Sequence, residues 1–327
     1  MNHNEIKSLF DSFNQYNVAV IGDVMLDKYI FGKVSRISPE APVPVVEVND
    51  ESYRLGGAAN VAMNLHAMGA QASLFGISGK DTNREILINE MRNQHFSPNY
   101  LLTDANRKTT CKTRVIAQNH HIVRIDSETK TFIDKEIESE LISHFQNEVH
   151  NFQALIFEDY NKGLLTSNLI SQITQIALKK QLPILVDPKK NFFFDYKNCT
   201  VFKPNLKETI DALNTPFQNT DKEVQKACET LKEKIECEYV VLTRGEKGLT
   251  ILDNRNISHI PSVALDVADV SGAGDTVIGV LTLGLCNGLP IQEAGRLANF
   301  AAGIVCSEVG AVSIDKHKLL QYCLLNF

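Results

Sequence analysis

The sequence predicts an α/β fold: a mostly parallel sheet with helices on both faces and a small β lid. Short β-rich runs alternate with helical patterns, each run ends near Gly or Asp, and two further β-rich stretches interrupt the alternation. Strand–helix alternation of this kind builds parallel sheets, because parallel neighbours need a crossover between them.

Residues 18–21 (VAVI), 74–77, 154–157 (ALIF), 184–186 and 240–242 read as buried strands. Between them, residues 58–68, 84–93, 135–150, 167–180 and 223–235 carry helical patterning. The last third is mostly helical. A helix over 273–287 closes at Asn287-Gly288-Leu289-Pro290, with Gly near the C′ position and Pro just beyond, and 291–305 reads as another. Residues 27–48 are rich in Tyr, Phe, Val and Pro, and 109–126 reads as two strands around a Gln118-Asn119 turn. Both are too short to be domains. They read as a lid packed over the edge of the main sheet; a plain pair of edge strands is the other reading. No repeat, low-complexity tract or linker divides residues 1–327, so one domain is expected.

The 327 residues include 33 Lys+Arg and 39 Asp+Glu, a formal charge of −6, with 43% hydrophobic and 22% charged residues. That balance excludes disorder as the main state. The negative sign argues against nucleic acid as a partner of the whole chain but leaves room for a local basic pocket. Seven cysteines without a CxxC pair fit a reducing cytoplasm better than a disulfide scaffold or a zinc site. No secretory signal opens the chain, and no apolar stretch approaches the ~20 residues that span a bilayer. A cytoplasmic location without a membrane partner is expected.

The strongest local signal is Asp269-Val270-Ser271-Gly272-Ala273-Gly274-Asp275-Thr276. Three small residues stand where a helix begins, so a phosphate can approach the backbone N–H groups and the positive end of the helix dipole. Asp275 at the same end can accept a hydroxyl proton while those N–H groups hold the phosphoryl group. The plainer reading makes Ser271 an N-cap and the glycines a turn. The segment is not a dinucleotide fingerprint, since Val277 holds the third Gly position. Ser78-Gly79-Lys80 is not a P-loop, since Leu74 and Asp81 stand where Gly and Ser/Thr are needed.

Four weaker signals accompany it. In Leu55-Gly56-Gly57-Ala58-Ala59-Asn60, paired glycines open a helix with Asn60 in its first turn, which suits close approach to a sugar, or only a tight turn. Asp23 and Asp27 follow the first strand, where α/β folds bind ligands, and either can hold sugar hydroxyls or pair with a lid lysine. Asn205 and Glu208, at i and i+3 on one helix face after a short strand at 200–203, can order Mg²⁺ water and phosphate. Thr243, Gly245 and Gly248 follow another strand and can cradle a nucleotide. Taken singly, the last two are ordinary strand-to-helix turns.

In combination and in order, these pieces resemble the ribokinase-like (PfkB) sugar kinases across nearly the whole chain. The strings GDVMLD, SRISPEAPVPVV, GGAANVAMNL, DYNKG, VDPK, KPNLKE and DVSGAGDTVIGVL are similar, more closely, to the kinase domain of bacterial heptose 7-phosphate kinases. The resemblance implies a Rossmann-like three-layer α/β/α fold with a β lid. It implies Asp275 as catalytic base and Gly272, Ala273 and Gly274 as anion hole. Gly56, Gly57, Asn60 and Asp27 match the sugar site, with Asp23 a weaker match. Asn205 and Glu208 match a motif near Mg²⁺ and phosphates; Thr243, Gly245 and Gly248 match the nucleotide loop, and Asn299 the adenine pocket. Asp269 and Ser271 match a K⁺ site of some relatives. Asp187-Pro188-Lys189-Lys190 departs from a common DPKG. A fused adenylyltransferase would need well over a hundred further residues and an HxGH-type motif, so a stand-alone kinase or the kinase half of a longer protein is expected.

The expected reaction is transfer of the ATP γ-phosphoryl to O1 of D-glycero-D-manno-heptose 7-phosphate, for nucleotide-heptose and lipopolysaccharide synthesis. A kinase of another sugar, or an idle sugar-binding relative, are the competing readings. Arg36, Arg114, Arg124, Lys162 and Lys189 are the cations available for the 7-phosphate, with Arg114 and Lys162 chosen. Exposed lid strands invite a homodimer.

Overall fold

In the computed structural model, which describes residues 1–118, 120–254, 256–263, 267–308, 310 and 312–327, alternate residues of the central strands face opposite ways. Val18, Val20, Ile156, Leu185 and Val241 enter one core; Ala19, Ile21, Phe157, Val186 and Leu242 enter the other. Period-two alternation with both faces apolar is what a sheet buried on both sides requires.

The chain begins with α1 (His3–Ser12), β1 (Asn17–Gly22), the long strands β2 (Val24–Ile37) and β3 (Pro44–Gly57), and α2 (Ala58–Ala67). Next come β4 (Gln71–Ser78), α3 (Thr82–Asn93), β5 (Leu101–Thr103), β6 (Cys111–Ala117) and β7 (His120–Ser127). The middle holds α4 (Lys135–Glu148), β8 (Ala154–Glu158), α5 (Ser167–Lys179), β9 (Ile184–Asp187), β10 (Val201–Phe202), α6 (Leu206–Leu213) and α7 (Asp221–Ile235). The chain closes with β11 (Tyr239–Thr243), β12 (Leu249–Leu252), β13 (Ile257–Ile260), α8 (Ala273–Cys286), α9 (Ile291–Cys306) and α10 (Lys316–Asn326).

Nine strands form one sheet in the order β13-β12-β11-β10-β9-β8-β1-β4-β5, parallel from β11 to β5, with β12 and β13 antiparallel at one end. Helices α1, α2, α3, α8, α9 and α10 bury side chains on one face; α4, α5 and α7 do so on the other. The three-layer α/β/α fold read from the sequence is therefore present. After β1 the chain builds outward through β4 and β5, then returns to add β8 on the other flank of β1. The crevice beyond the carboxyl ends of β1 and β8 is the switch point at which such sheets bind ligands.

The second sheet has the order β3-β2-β6-β7. A single residue, Asp23, separates it from the end of β1, and it returns at Gly57 directly into α2, so it stands at the carboxyl ends of the strands and not along a lateral edge. Its strands β2 and β3 outrun the expected 27–48, and β6 and β7 pair antiparallel as a hairpin. Asn119 of the expected turn lies outside the described residues.

Packing of α8 against α9 is tight: a Cβ on Gly284 would lie 2.9 Å from the Ala294 Cβ. Gly284→Val should therefore force the helices apart and cost about 1–3 kcal/mol, measured as a lower denaturation midpoint in urea with an unchanged slope.

Candidate active site

The N-cap of α8 is Gly272, whose φ of 80° is open to glycine, and no side chain caps the helix. Ser271 is not the N-cap that the plainer sequence reading allowed. Its amide instead donates to Asp269 Oδ1 at 2.9 Å, and Asp269 Oδ2 accepts from the Gly310 amide at 3.1 Å. With no side chain capping the first turn of α8, its dipole can serve a ligand, while the Ala273 amide donates to Val270 O at 3.3 Å.

Asp275 sits in that turn, 5% exposed. Its Oδ2 accepts from Asn60 Nδ2 at 2.7 Å and its Oδ1 from the Tyr160 hydroxyl at 2.8 Å. Burial pushes its carboxyl up to about 6, against the pull of the Asn60 hydrogen bond. Burial and the adjacent Asp275 hold the Tyr160 phenol well above its usual range, so it stays a donor. A carboxylate aligned by two donors, with an elevated proton affinity, suits a general base.

Asn60 reaches Asp275 because Gly57, the N-cap of α2 with φ 61°, turns the chain out of β3. The Ala58 amide donates to Asp23 O at 3.0 Å there. A Cβ on Gly57 would collide with Asp23 O, and one on Gly56 would come 2.5 Å from Asp27 Oδ2. Gly57 is thus a backbone requirement before any sugar approaches, and Gly56 admits the Asp27 carboxylate.

Several of the expected site residues already have protein partners. Asp23, 2% exposed, accepts the amides of Tyr160, Lys162 and Leu164 at 2.9, 2.9 and 3.3 Å. It organises the loop after β8, so the carboxylate expected to meet sugar already has three protein donors. Asp27 and Arg114, expected to hold hydroxyls and phosphate, are ion-paired to each other. Lys162 pairs with Glu128 at 2.6 Å. Arg124 pairs with Asp126 at 3.0 Å, Lys189 pairs with Glu208, and Arg36 is exposed. Asn205 is the N-cap of α6 and forms a capping box with Glu208, whose Oε2 accepts from the Asn205 amide at 2.8 Å. The two therefore bond to each other instead of sharing an open helix face.

A cavity of about 900 Å³ lies on the other side of the α8 N-terminus. Asn205, Thr243, Gly245, Gly248, Ala273, Gly274 and Asn299 all line it, with apolar walls that include Val263 and Val277. Asn299 Nδ2 donates to Pro261 O at 2.8 Å. A deep apolar slot beside a helix N-terminus suits a base and its phosphates. α8 therefore divides the site, with the cavity on one flank and Asp275 facing Asn60, Tyr160 and the lid on the other.

Sequence reading missed Tyr160, Glu158, Asp187 and Lys203. Each stands at or just after a strand end, and only strand order brings them together. Lys203 Nζ lies 2.7 Å from Asp187 Oδ2. Burial alone would depress its pKa, but Asp187 and Glu158 outweigh that and hold it charged. Arg54 was missed as well. Its guanidinium lies 4.9 Å from the Tyr29 ring centroid, and that of Arg114 lies 5.3 Å from the same ring.

Fold and site together define a small-molecule phosphotransferase of the α/β/α type. The pfkB family carbohydrate kinase pattern matches residues 15–318, and the chain belongs to that family. It is 39% identical to "Bifunctional protein HldE" of Trichlorobacter lovleyi over 98% of this chain, and 38% identical to the Geobacter sulfurreducens protein of that name, also over 98%. The chain spans 65% of the length of each. Among solved structures, phosphofructokinase-2 from Escherichia coli in complex with potassium matches with a TM-score of 0.76 and 18% identity, covering 94% of this chain and 98% of that one. Arabidopsis thaliana ribokinase complexed with ribose and ATP matches at 0.73 and 16%, covering 94% and 99%. At these identities the two structures speak for the fold.

Tyr160→Phe removes one of the two donors that align Asp275. A hydrogen bond to a charged group contributes roughly 1.5–3 kcal/mol, so phosphorylation kcat should fall about ten- to a hundredfold. Tyr160 does not line the cavity on the other flank of α8, and the KM for ATP should stay unchanged in steady-state assays.

Proposed function

We propose that the chain transfers the γ-phosphoryl of Mg·ATP to O1 of D-glycero-D-manno-heptose 7-phosphate, giving the 1,7-bisphosphate for nucleotide-heptose and lipopolysaccharide synthesis in the cytoplasm. The carrying observation is Asp275 at an uncapped helix N-terminus, aligned by Asn60 and Tyr160 and backed by the cavity. The sequence resemblance to heptose 7-phosphate kinases and the match to proteins named HldE support the substrate.

In this reading Asp275 takes the O1 proton while the N–H groups from Gly272 to Gly274 hold the transferred group. Thr243, Gly245, Gly248 and Asn299 border the nucleotide; Gly56, Asn60 and Asp27 border the sugar. Mg²⁺ would neutralise phosphate charge, with Asn205 and Glu208 beside it. Both Glu208 oxygens already accept protein hydrogen bonds, so contact through water fits the pair. Asp269 and Ser271 are proposed for K⁺; their loop is ordered by the two amides that Asp269 accepts. Arg114, joined by Arg54 on the same lid face, is proposed to meet the 7-phosphate.

Asp275→Asn keeps shape but removes the base. Turnover should drop about 10²–10⁴-fold with nucleotide affinity largely kept, as read by a coupled ADP assay and by calorimetry.

Removing the 7-phosphate should cost at least about a hundredfold in kcat/KM, because two charge-assisted contacts at roughly 1.5–3 kcal/mol each are lost. Arg114→Ala should cost at least about tenfold of that loss for the phosphorylated sugar, with KM for ATP unchanged, and Lys162→Ala should do less. Equal activity on unphosphorylated heptose, ribose or fructose would reassign the substrate and leave the chemistry at Asp275. No turnover on any sugar in the panel would favour an idle relative.

We also propose a homodimer through the lid. Ile37, Val43, Val48, Val123 and Ile125, each 48–60% exposed, lie on its strands or turn, an apolar surface that a second copy would cover. Sedimentation at micromolar concentration should give a dimer, and Val123→Lys with Ile125→Lys should give a monomer.

A further inference from the structure

At the amino ends of β10 and β11, on the side of the sheet away from Asp275, two cysteines face each other. Val201 stands in parallel register with Tyr239. The pairing runs on toward the amino ends: the Tyr239 amide donates to Thr200 O at 2.8 Å and the Glu238 amide to Cys199 O at 3.2 Å. Two residues before the registered pair lie Cys199 and Cys237. Both are free thiols, both are buried, at 3% and 5% exposure, and both enter the same core. Paired strands lie about 4.8 Å apart, inside the ~4.4–6.8 Å Cα separation that a disulfide spans.

The two thiols are unequal. The Cys199 thiol, as hydrogen-bond donor, and the Lys232 ammonium hold the Cys237 thiol below its usual range despite burial. Burial, and that same bond, push the Cys199 thiol well above it. Lys232 is kept in place by donating from Nζ to Cys237 O at 2.9 Å and to Glu238 O. Cys237 also lines an open surface cleft of about 600 Å³, beside Lys232 and Glu236, and Cys199 does not. The other cysteines, 111, 228, 286, 306 and 323, are all raised by burial.

We propose that Cys199 and Cys237 are a reversible redox pair, closed to a disulfide by a hydroperoxide that enters from this cleft. The thiolate is the reactive form of cysteine, so Cys237 attacks first. Its sulfur bonds to one peroxide oxygen, the O–O bond breaks, and the departing oxygen leaves as water with the thiol proton. The Cys199 sulfur then displaces the hydroxyl of the Cys237 sulfenic acid, which leaves as a second water with the Cys199 proton. Two thiols lose two electrons and the peroxide gains them. The bond closes segment 199–237, which carries α6 and α7, and ties the two-residue β10 to β11. Such a link constrains the unfolded chain and stabilises the folded one.

The test treats the reduced full chain with hydrogen peroxide, alkylates the remaining thiols and maps tryptic peptides without reduction. No readout uses turnover, so the outcome is independent of the heptose assignment. A linked pair of peptides carrying Cys199 and Cys237 is expected, reversed by dithiothreitol. Oxidation should raise the melting temperature by several degrees, and dithiothreitol should remove the gain. Cys199→Ala should leave Cys237 as a sulfenic acid that dimedone traps; Cys237→Ala should leave Cys199 unmodified. Should either variant fail to fold, the wild-type map decides alone. A disulfide mapped to Cys228 and Cys237, or both Cys199 and Cys237 alkylated at a peroxide level that has already oxidised Cys286 or Cys306, overturns the proposal.

Discussion

Everything in the site depends on how α8 is seated on the carboxyl ends of β8, β9 and β10. The helix starts without a capping side chain and lowers Asp275 onto a sheet edge that already carries Glu158, Asp187 and Lys203. Gathering charge in a place this dry opposes folding. Asn60, Tyr160 and Lys203 offset the cost with one direct contact each. A second network secures the helix sideways: Thr276 Oγ1 and the Ile314 amide both donate to Asn64 Oδ1 at 3.0 Å. Asn64 and Asn60 lie four residues apart on α2, so one helix both fixes α8 and aligns its carboxylate.

The legible parts of the sequence were those whose signal is local. Runs such as VAVI and ALIF announce two-sided burial by themselves, and the helices over 58–68 and 273–287 differ from the observed ones by one residue at the end. The two-residue β10 and the antiparallel β12 and β13 are too short to carry a period. α10 follows another helix and has no strand next to it in sequence to frame it. The glycine-rich start of α8 was legible because small residues before a helix have few other uses. Glu158, Tyr160, Asp187 and Lys203 were not, since strand order alone makes neighbours of residues tens of positions apart.

Asp23 stands where the sequence reading expected it and already has protein partners there. A carboxylate after the first strand does lie at the switch point, but three amides of the loop after β8 reach it first. Those bonds set the loop that delivers the Tyr160 hydroxyl, so Asp23 acts on Asp275 through Tyr160. Asp159, pushed up to about 7 by burial and by Asp23 beside it, is held by the Tyr196 hydroxyl and the Asn161 amide at 2.9 and 2.8 Å. The loop is therefore fixed by two adjoining carboxylates.

The lid presents the converse case. Asp27 and Arg114 were assigned opposite duties toward one ligand, and they bond to each other across adjacent strands. The pair is mostly sheltered, at 16% and 7% side-chain exposure for Arg114 and Asp27. Breaking such a pair for one side only leaves the other charge poorly solvated, which costs several kcal/mol. An anion alone gains Arg114 and strands Asp27; a neutral polyol alone does the reverse. A ligand offering both an anionic group and a hydroxyl donor satisfies both at once. On the proposed assignment of Asp27 and Arg114 to the ligand, a preference for a sugar phosphate over a sugar or over phosphate would follow from the ion pair itself, because each partial ligand must overcome a penalty that the complete one avoids.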